Sequence, residues 1–164
     1  MTIEFTRPIL AAALLGLVLS AACSNAGDES ARIAESESTP ALTVYHDPRC
    51  GCCGDWASHM REHGFEVTAI EDSNIHERRR ELGVPDRLAS CHTATVAGYL
   101  IEGHVPAADV RRLLAQRPDA RGLSVPGMPL GSPGMEHGDR RQAYNVLLFD
   151  DAGNFEVFNH YPAR

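Results

Sequence analysis

Residues 42–54 read LTVYHDPRCGCCG, in which a short strand-forming run leads directly into three cysteines, at positions 50, 52 and 53. The β-branched and aromatic residues of 42–46 favour a strand. Beyond Gly54, Trp56, Met60 and His63 fall at positions i, i+4 and i+7. This spacing predicts a helix that begins in the cysteine motif and ends near Gly64.

The rest of the chain continues the alternation of strands and helices. Strand patterns at 65–70, 93–97 and 99–105 and helix patterns after Asn74 and Pro106 give the order β, cysteine loop, α, β, α, β, β, α. Two further strands, 144–149 and 155–160, flank DDAGN (150–154), which predicts a hairpin. A strand, a cysteine loop and a helix in succession are typical of thioredoxin-like folds. The expected fold is α/β, thioredoxin-like, with an added C-terminal β-hairpin.

This fold makes a prediction about a further cysteine. In a thioredoxin-like domain, the loop entering the third strand lies against the N-terminus of the first helix. Here that loop contains SCHT (90–93). Cys91 is therefore expected beside Cys50, Cys52 and Cys53, where the positive end of the helix dipole favours thiolate anions. The charged run ERRRE (77–81) on the second helix is expected to form a solvated face.

The four cysteines are compatible with several chemistries. Cys50 and Cys53 have the CxxC spacing of thiol oxidoreductases. Four cysteines in an exported protein also commonly form disulfides. The adjacent Cys52 and Cys53 could bridge each other only with strain, and a bridge between Cys50 and Cys53 would close a very short loop of little stabilising value. Structural zinc sites usually join two separated CxxC-type pairs, whereas three cysteines crowd together here. Thiolates that can bridge more than one soft ion favour copper, as Cu(I).

Sulfur also occurs in the run VPGMPLGSPGMEHG (125–138), which is too rich in glycine and proline for a helix or strand. Met128 and Met135 either fold back over the core or present thioethers as Cu(I) ligands, with His137 close behind. Among the eight histidines, His92 and His160 are those whose predicted positions approach the cysteines. His46 precedes the cysteine motif at the end of a predicted strand, and no role is assigned to His59, His63, His76 and His104.

The N-terminal segment predicts export. Residues 9–19 form an uninterrupted apolar run, and small residues lead from it to Cys23, a pattern that resembles the lipobox of bacterial lipoproteins. Residues 1–23 are expected to be a signal peptide with Cys23 as its lipidation site; plain signal cleavage and an uncleaved anchor are the alternatives. Residues 24–40 predict a flexible linker, and 41–164 a single domain. The expected location is the periplasm or cell envelope.

The overall charge argues against a nucleic-acid partner. The formal net charge is −7, the isoelectric point is about 5.5, and the sequence has no basic stripe. Contact with a membrane is expected only through the lipid anchor. Partners are expected to be copper ions and other copper-handling proteins of the envelope.

Several motifs together resemble the CopG family of bacterial envelope copper proteins. They are CGCCG (50–54), LASCHTA (88–94), IEGHVPAADV (101–110), VPGMPLGSPGME (125–136), NVLLFD (145–150) and NHY (159–161). The resemblance implies a thioredoxin-like domain with a cysteine-bridged cluster of several copper ions and a role in copper tolerance. It also implies a set of copper ligands, namely Cys50, Cys52, Cys53 and Cys91, together with the paired methionines Met128 and Met135.

The predicted function is that of an envelope copper-binding protein that sequesters, transfers or redox-cycles Cu(I) and Cu(II) in copper resistance. No catalytic residue is predicted, and copper oxidoreductase activity is left open. A thiol-disulfide oxidoreductase with Cys50 as nucleophile and Cys53 as resolving thiol is the alternative from another class. A zinc-stabilised interaction module is a third. Cys52 and Cys91 favour copper, because disulfide exchange needs neither of them.

Overall fold

The computed structural model describes residues 39–164. The predicted signal peptide, the lipidation site Cys23 and almost all of the predicted linker lie outside the described residues. Within the described range, no helix combines the length and the apolar character that a membrane span needs.

The described chain alternates strands and helices. In order, its elements are β1 (Ala41–His46), α1 (Gly51–Glu62), β2 (Glu66–Glu71), α2 (Ile75–Leu82), a 3-10 turn (Asp86–Leu88), β3 (His92–Val96), β4 (Tyr99–Gly103), α3 (Ala107–Gln116), β5 (Gly122–Val125), β6 (Tyr144–Phe149) and β7 (Phe155–Tyr161). The mixed α/β class is confirmed, as is the predicted order of elements through α3. The thioredoxin-like classification stays a prediction.

The strands form one sheet in the order β2-β1-β3-β4-β5-β6-β7. The pairs β1–β2 and β4–β5 are parallel, and the other neighbouring pairs are antiparallel. The predicted C-terminal hairpin is confirmed as β6–β7, but it is not a separate addition. Strand β5, which the sequence analysis missed, joins the hairpin to β4, so the hairpin extends the same sheet.

Close packing of β5 against β4 depends on a glycine. A Cβ atom placed on Gly122 would lie 1.9 Å from the carbonyl oxygen of Leu100, which is shorter than any non-bonded contact. Every residue of β5 is buried, so its sequence lacks the apolar-polar alternation that marks a half-exposed strand. The absence of a side chain at Gly122 allows β5 to pair with β4. The absence of alternation explains why β5 was not predicted from the sequence.

Helix α1 is held to the sheet by one apolar side. Trp56 and Met60 are fully buried, as their helical spacing predicts. The prediction that His63 continues this buried stripe is wrong, because the helix ends at Glu62 and His63 is exposed. Its Nδ1 atom instead donates to the carbonyl oxygen of His59, 2.8 Å away.

Two apolar clusters lie on opposite faces of the sheet. The larger contains Ile101 of β4 together with Trp56 of α1 and Leu113 of α3. The smaller contains Leu100, the neighbour of Ile101, and packs against Leu82 of α2. Since successive residues of a strand point to opposite faces, α1 and α3 cover one face and α2 lies on the other.

Candidate metal centre

Four cysteine side chains meet at the N-terminal end of α1. Cys52 and Cys53 belong to its first turn, Cys50 is its N-cap residue, and Cys91 immediately precedes β3. The sulfur atoms all lie within 4.8 Å of one another. The predicted approach of Cys91 to the cysteine motif is confirmed, whereas metal coordination by these residues stays a prediction.

The sheet topology explains why these distant residues meet. Strands β1 and β3 are antiparallel neighbours, and His46 at the end of β1 pairs with His92 at the start of β3. The chain that leaves β1 toward Cys50 therefore starts beside the chain that enters β3 from Cys91. A turn in which the Cys50 amide donates to the carbonyl oxygen of Asp47, at 2.9 Å, then directs the chain into α1.

The four sulfurs are not equivalent. Cys50 and Cys53 form a disulfide, and Cys52 and Cys91 are the free thiols of the described residues. The Cys52 sulfur lies 3.5 Å from that of Cys50 and 4.0 Å from that of Cys91. Cys52 therefore lies between the disulfide and the second free thiol, and Cys53 is fully buried beneath them.

Burial controls the ionisation of Cys91. Removal from water, reinforced by the neighbouring Cys52, raises the pKa of the Cys91 thiol to about 12. At Cys91, burial thus opposes the thiolate that the helix end is expected to favour. A bound cation would have to displace the thiol proton, so metal binding at Cys91 is coupled to proton release.

Two buried imidazoles also contact Cys91. Its sulfur lies 3.1 Å from Nε2 of His104 and 3.3 Å from Nδ1 of His92. Nδ1 of His104 donates to the carbonyl oxygen of Pro133 at 2.8 Å, so its Nε2 atom directs a lone pair at the sulfur. Desolvation is the main cause that lowers the pKa of both imidazoles, which keeps them in the neutral form that binds metals.

His104 is not among the site residues predicted from the sequence, although a signal for it exists. The tight turn at Ala97 and Gly98 sets the β3–β4 register, which pairs Thr93 with Glu102. Continuing this register by two residues places Cys91 opposite His104. The two strands were predicted from the sequence, but their pairing and its register were not.

The other histidines considered from the sequence lie in different surroundings. His92 lies beside Cys91 as predicted, and its ring packs against Trp56 with 4.4 Å between ring centroids. His160 is exposed on β7, where its Nδ1 donates to the side-chain oxygen of Asn145 at 2.7 Å, outside the cluster at Cys91. His46 donates from Nδ1 to the carbonyl oxygen of Asp47 at 3.0 Å and also lies outside it.

The segment 126–138 that carries the two methionines packs against both parts of the centre. The Gly127 amide donates to the Ala89 carbonyl at 3.2 Å, near Cys91. A Cβ atom on Gly134 would lie 2.8 Å from the Cys52 carbonyl oxygen, so this part of the segment touches α1. Met135 follows that contact directly, whereas Met128 is 53% exposed. Copper ligation by either methionine stays a prediction.

A buried ion pair positions the chain on both sides of Cys91. Nε of Arg79 lies 2.7 Å from a carboxylate oxygen of Glu102, and both side chains are buried. Glu102 also accepts hydrogen bonds from the Ser90 amide, at 2.6 Å, and the Thr93 hydroxyl. Arg79 in turn donates to the Ser90 carbonyl. The prediction that the whole run 77–81 forms a solvated face is therefore wrong at Arg79.

Comparison with known proteins identifies the family. A family described as "Protein of unknown function, DUF411" matches residues 88–135, and none of the curated proteins matches the chain. Two solved structures, "Copper resistance protein copG- Form 1" and "Form 2", are each 45% identical to this chain over 76% of its length, with TM-scores of 0.73. The aligned region spans 99% and 100% of those two chains.

The chain belongs to the CopG family. The resemblance drawn from the sequence motifs is confirmed by the two CopG structures. Residues 88–135 include Cys91, His104 and both methionines, while the CGCC motif lies outside that segment.

We expect Gly134→Ala to detach the methionine segment from α1 in this CopG-family chain. Gly134 has φ +82°, where a side chain is strained, and a Cβ atom would lie 2.7 Å from the Trp56 amide nitrogen. The expected loss of unfolding free energy is about 1–3 kcal/mol, measured by urea denaturation. Gly127→Ala is the matched control, because it has the same sign of φ, +70°, but no atom within 4 Å of its Cβ position. An equal loss in both variants would contradict the predicted contact.

Acidification is expected to destabilise the metal-free fold. Desolvation lowers the pKa of His59, His92 and His104 below 6.5, so the unfolded chain takes up protons first and stability is lost as the pH falls below that value. Each histidine contributes a slope of up to about 1.4 kcal/mol per pH unit. Burial raises the pKa of Glu102 from 4.5 to about 6, which acts in the opposite direction between those two values.

Three histidines lower the stability of the fold on acidification and one carboxyl raises it, so we expect a net loss of stability between pH 6.5 and pH 5. Urea denaturation across this pH range, followed by the fluorescence of Trp56, measures it. His59→Gln should reduce the slope by the contribution of one histidine while still accepting the hydrogen bond that His59 receives from the Ala107 amide. Stability that is constant or rises on acidification would contradict the prediction.

Proposed function

We propose that this chain is a copper-binding protein of the bacterial cell envelope that sequesters Cu(I) as part of copper resistance. The observation that carries the proposal is the convergence of four sulfur atoms within 4.8 Å at the N-terminus of α1. Cysteine sulfur is a soft donor that selects Cu(I), and one thiolate can bridge two ions. The names of the two solved relatives supply the connection to copper resistance.

The number of donors supports binding of more than one ion. Besides the four sulfurs, the imidazoles of His92 and His104 reach the sulfur of Cys91. A single tetrahedral ion uses four ligands, so this set exceeds the need of one zinc ion. When the disulfide is reduced, Cys50 and Cys53 add two thiols to the two that are free.

The cellular part of the proposal rests on the sequence. The apolar run 9–19 followed by Cys23 supports export and lipid attachment at that cysteine. In the envelope, the chain would hold Cu(I), pass it to other copper-handling proteins, or cycle it between Cu(I) and Cu(II). The partly exposed Cys50, Cys52 and Cys91 support exchange of ions with solvent or with a partner.

Anaerobic titration of the reduced full-length chain with Cu(I), in competition with a chromophoric chelator, tests the proposal. More than one Cu(I) per chain is expected, and Cys52→Ser should lower both the stoichiometry and the affinity. Cys23→Ser is the matched control, because it removes a cysteine outside the CGCC motif and should retain full binding. A reduced chain that binds no Cu(I), or binding that is unaffected by Cys52→Ser, would refute the cysteine cluster as the site.

A thiol-disulfide oxidoreductase is the second candidate, and one observation favours it. The Cys50–Cys53 disulfide lies at a helix N-terminus with CxxC spacing, as in enzymes that exchange disulfides. An insulin-reduction assay separates the candidates. If Cys53→Ser abolishes insulin reduction while Cys52→Ser retains all of its copper, thiol-disulfide exchange is the better-supported function.

A further inference from the structure

Two groups of potential metal ligands share one residue. The first consists of Cys50, Cys52, Cys53 and Cys91, and the second of Cys91, His92 and His104. The disulfide removes Cys50 and Cys53 from the first group, whereas all three donors of the second remain free. The two groups therefore respond differently to oxidation of the Cys50–Cys53 pair.

We propose that the disulfide form of the chain retains a one-ion copper centre built from Cys91, His92 and His104. This inference rests on the proposed copper function and adds a form of regulation to it. The state of the Cys50–Cys53 pair sets the capacity of the chain, which is several ions when the pair is reduced and one ion when it is oxidised.

The geometry suits a single ion. The Cys91 sulfur lies 3.1 Å and 3.3 Å from the facing nitrogens of His104 and His92. Donors at these separations can bind one ion with bonds of about 2.0–2.3 Å. Both rings are fully buried, so they are held in place by the surrounding core. The ligand atoms are therefore preorganised with the disulfide closed.

The hydrogen bonds of the two rings differ, and both patterns are consistent with a ligand role. His104 donates from Nδ1 to the Pro133 carbonyl, which leaves Nε2 free to bind a metal and is the usual arrangement of a metal-bound histidine. His92 has a fully buried Nε2 atom without a hydrogen-bond partner among the described residues. Its Nδ1 atom, 3.3 Å from the Cys91 sulfur, faces the position that an ion would occupy.

The donor chemistry also distinguishes the second group from the first. Four thiolates select Cu(I), whereas one thiolate with two imidazoles binds both Cu(I) and Cu(II). Cys91 is partly exposed, so an ion can reach the centre from its side. The thiol proton of Cys91 leaves when the ion binds, and uptake of the ion should release about one proton per chain.

The test uses the full chain with Cys23→Ser, so that all remaining cysteines belong to the two groups. It is prepared fully reduced and, separately, with the Cys50–Cys53 disulfide, which peptide mass mapping locates and which leaves two free thiols. Each form is titrated anaerobically with Cu(I) against a chelator. Several ions are expected for the reduced form and one for the disulfide form.

Substitutions then locate the single ion. His104→Gln and His92→Gln should each lower the Cu(I) affinity of the disulfide form at least about tenfold. His63→Gln is the control, because His63 is exposed and bonded to its own helix, and it should have no effect. If the two substitutions leave the affinity unchanged in folded protein, the assigned centre is wrong.

The outcomes separate this inference from the proposed function. A reduced form that binds several ions beside a disulfide form that binds none overturns the inference alone. If neither form binds copper, the proposed function fails as well. Copper-edge X-ray absorption of the disulfide form, measured with both histidines in place, does not depend on whether a variant folds. Imidazole scattering is expected, and a shell of sulfur alone overturns the assignment.

Discussion

Replacing Cys91 with serine is expected to abolish tight copper binding in both the reduced and the disulfide forms of the chain. Cys91 is the one residue that belongs to both groups of donors. A serine hydroxyl is a hard, neutral donor and a poor ligand for Cu(I). Loss of the Cys91 sulfur should therefore lower the Cu(I) affinity at least about a hundredfold, measured by anaerobic competition with a chelator.

Cys52→Ser is the matched control for this prediction. Cys52 belongs only to the four-sulfur group, so its replacement should weaken binding by the reduced form and leave the single ion of the disulfide form in place. Cys91→Ser should affect both forms. If the two variants behave alike, Cys91 does not connect the two groups and the proposed arrangement is wrong.

Arg79→Met is expected to produce the largest loss of fold stability. The substitution leaves the Glu102 carboxyl fully buried without its cationic partner, which lies 2.7 Å away in the native chain. Removing one partner of a buried ion pair costs about 3–5 kcal/mol. The Ser90 carbonyl also loses the hydrogen bond that it accepts from Arg79. Urea denaturation at pH 7 measures the loss.

The neighbouring Arg78→Met is the control for charge alone. Arg78 forms ion pairs with Asp72 and Glu81 at 3.1 Å and 2.9 Å, but its side chain is 42% exposed. Such exposed pairs contribute at most about 1 kcal/mol. The double variant Arg79→Met with Glu102→Leu should recover part of the lost stability, because no buried charge is left without a partner. A loss below about 1 kcal/mol for Arg79→Met would contradict the structural role assigned to the pair.

The parts of the fold that were predictable from sequence are those with strong local signals. The strand leading into the CGCC motif, the helix containing Trp56 and Met60, and the DDAGN turn each have a pattern set by adjacent residues. Strand β5 was missed because its four residues are all buried and show no alternation. Its position depends on the neighbouring strands β4 and β6 rather than on its own sequence.

The candidate site was predictable to the extent that it follows from connectivity. The approach of Cys91 follows from the β1–β3 pairing, which a fold hypothesis supplies. The contact of His104 with Cys91 needed the exact register of the β3–β4 hairpin. The burial of Arg79 depends on a carboxylate in β4, distant in sequence, so an inspection of the charged run 77–81 alone could not distinguish it from its exposed neighbours.

The unequal exposure of the two disulfide sulfurs dictates the direction in which that bond can be opened. Cys50 caps the helix and is partly accessible, whereas Cys53 is fully buried in the first turn. An external thiolate can therefore attack only the sulfur of Cys50, which becomes the residue held in the mixed disulfide. Cys53 is then the leaving group, released into the interior next to Cys91 and shielded from a second external thiol.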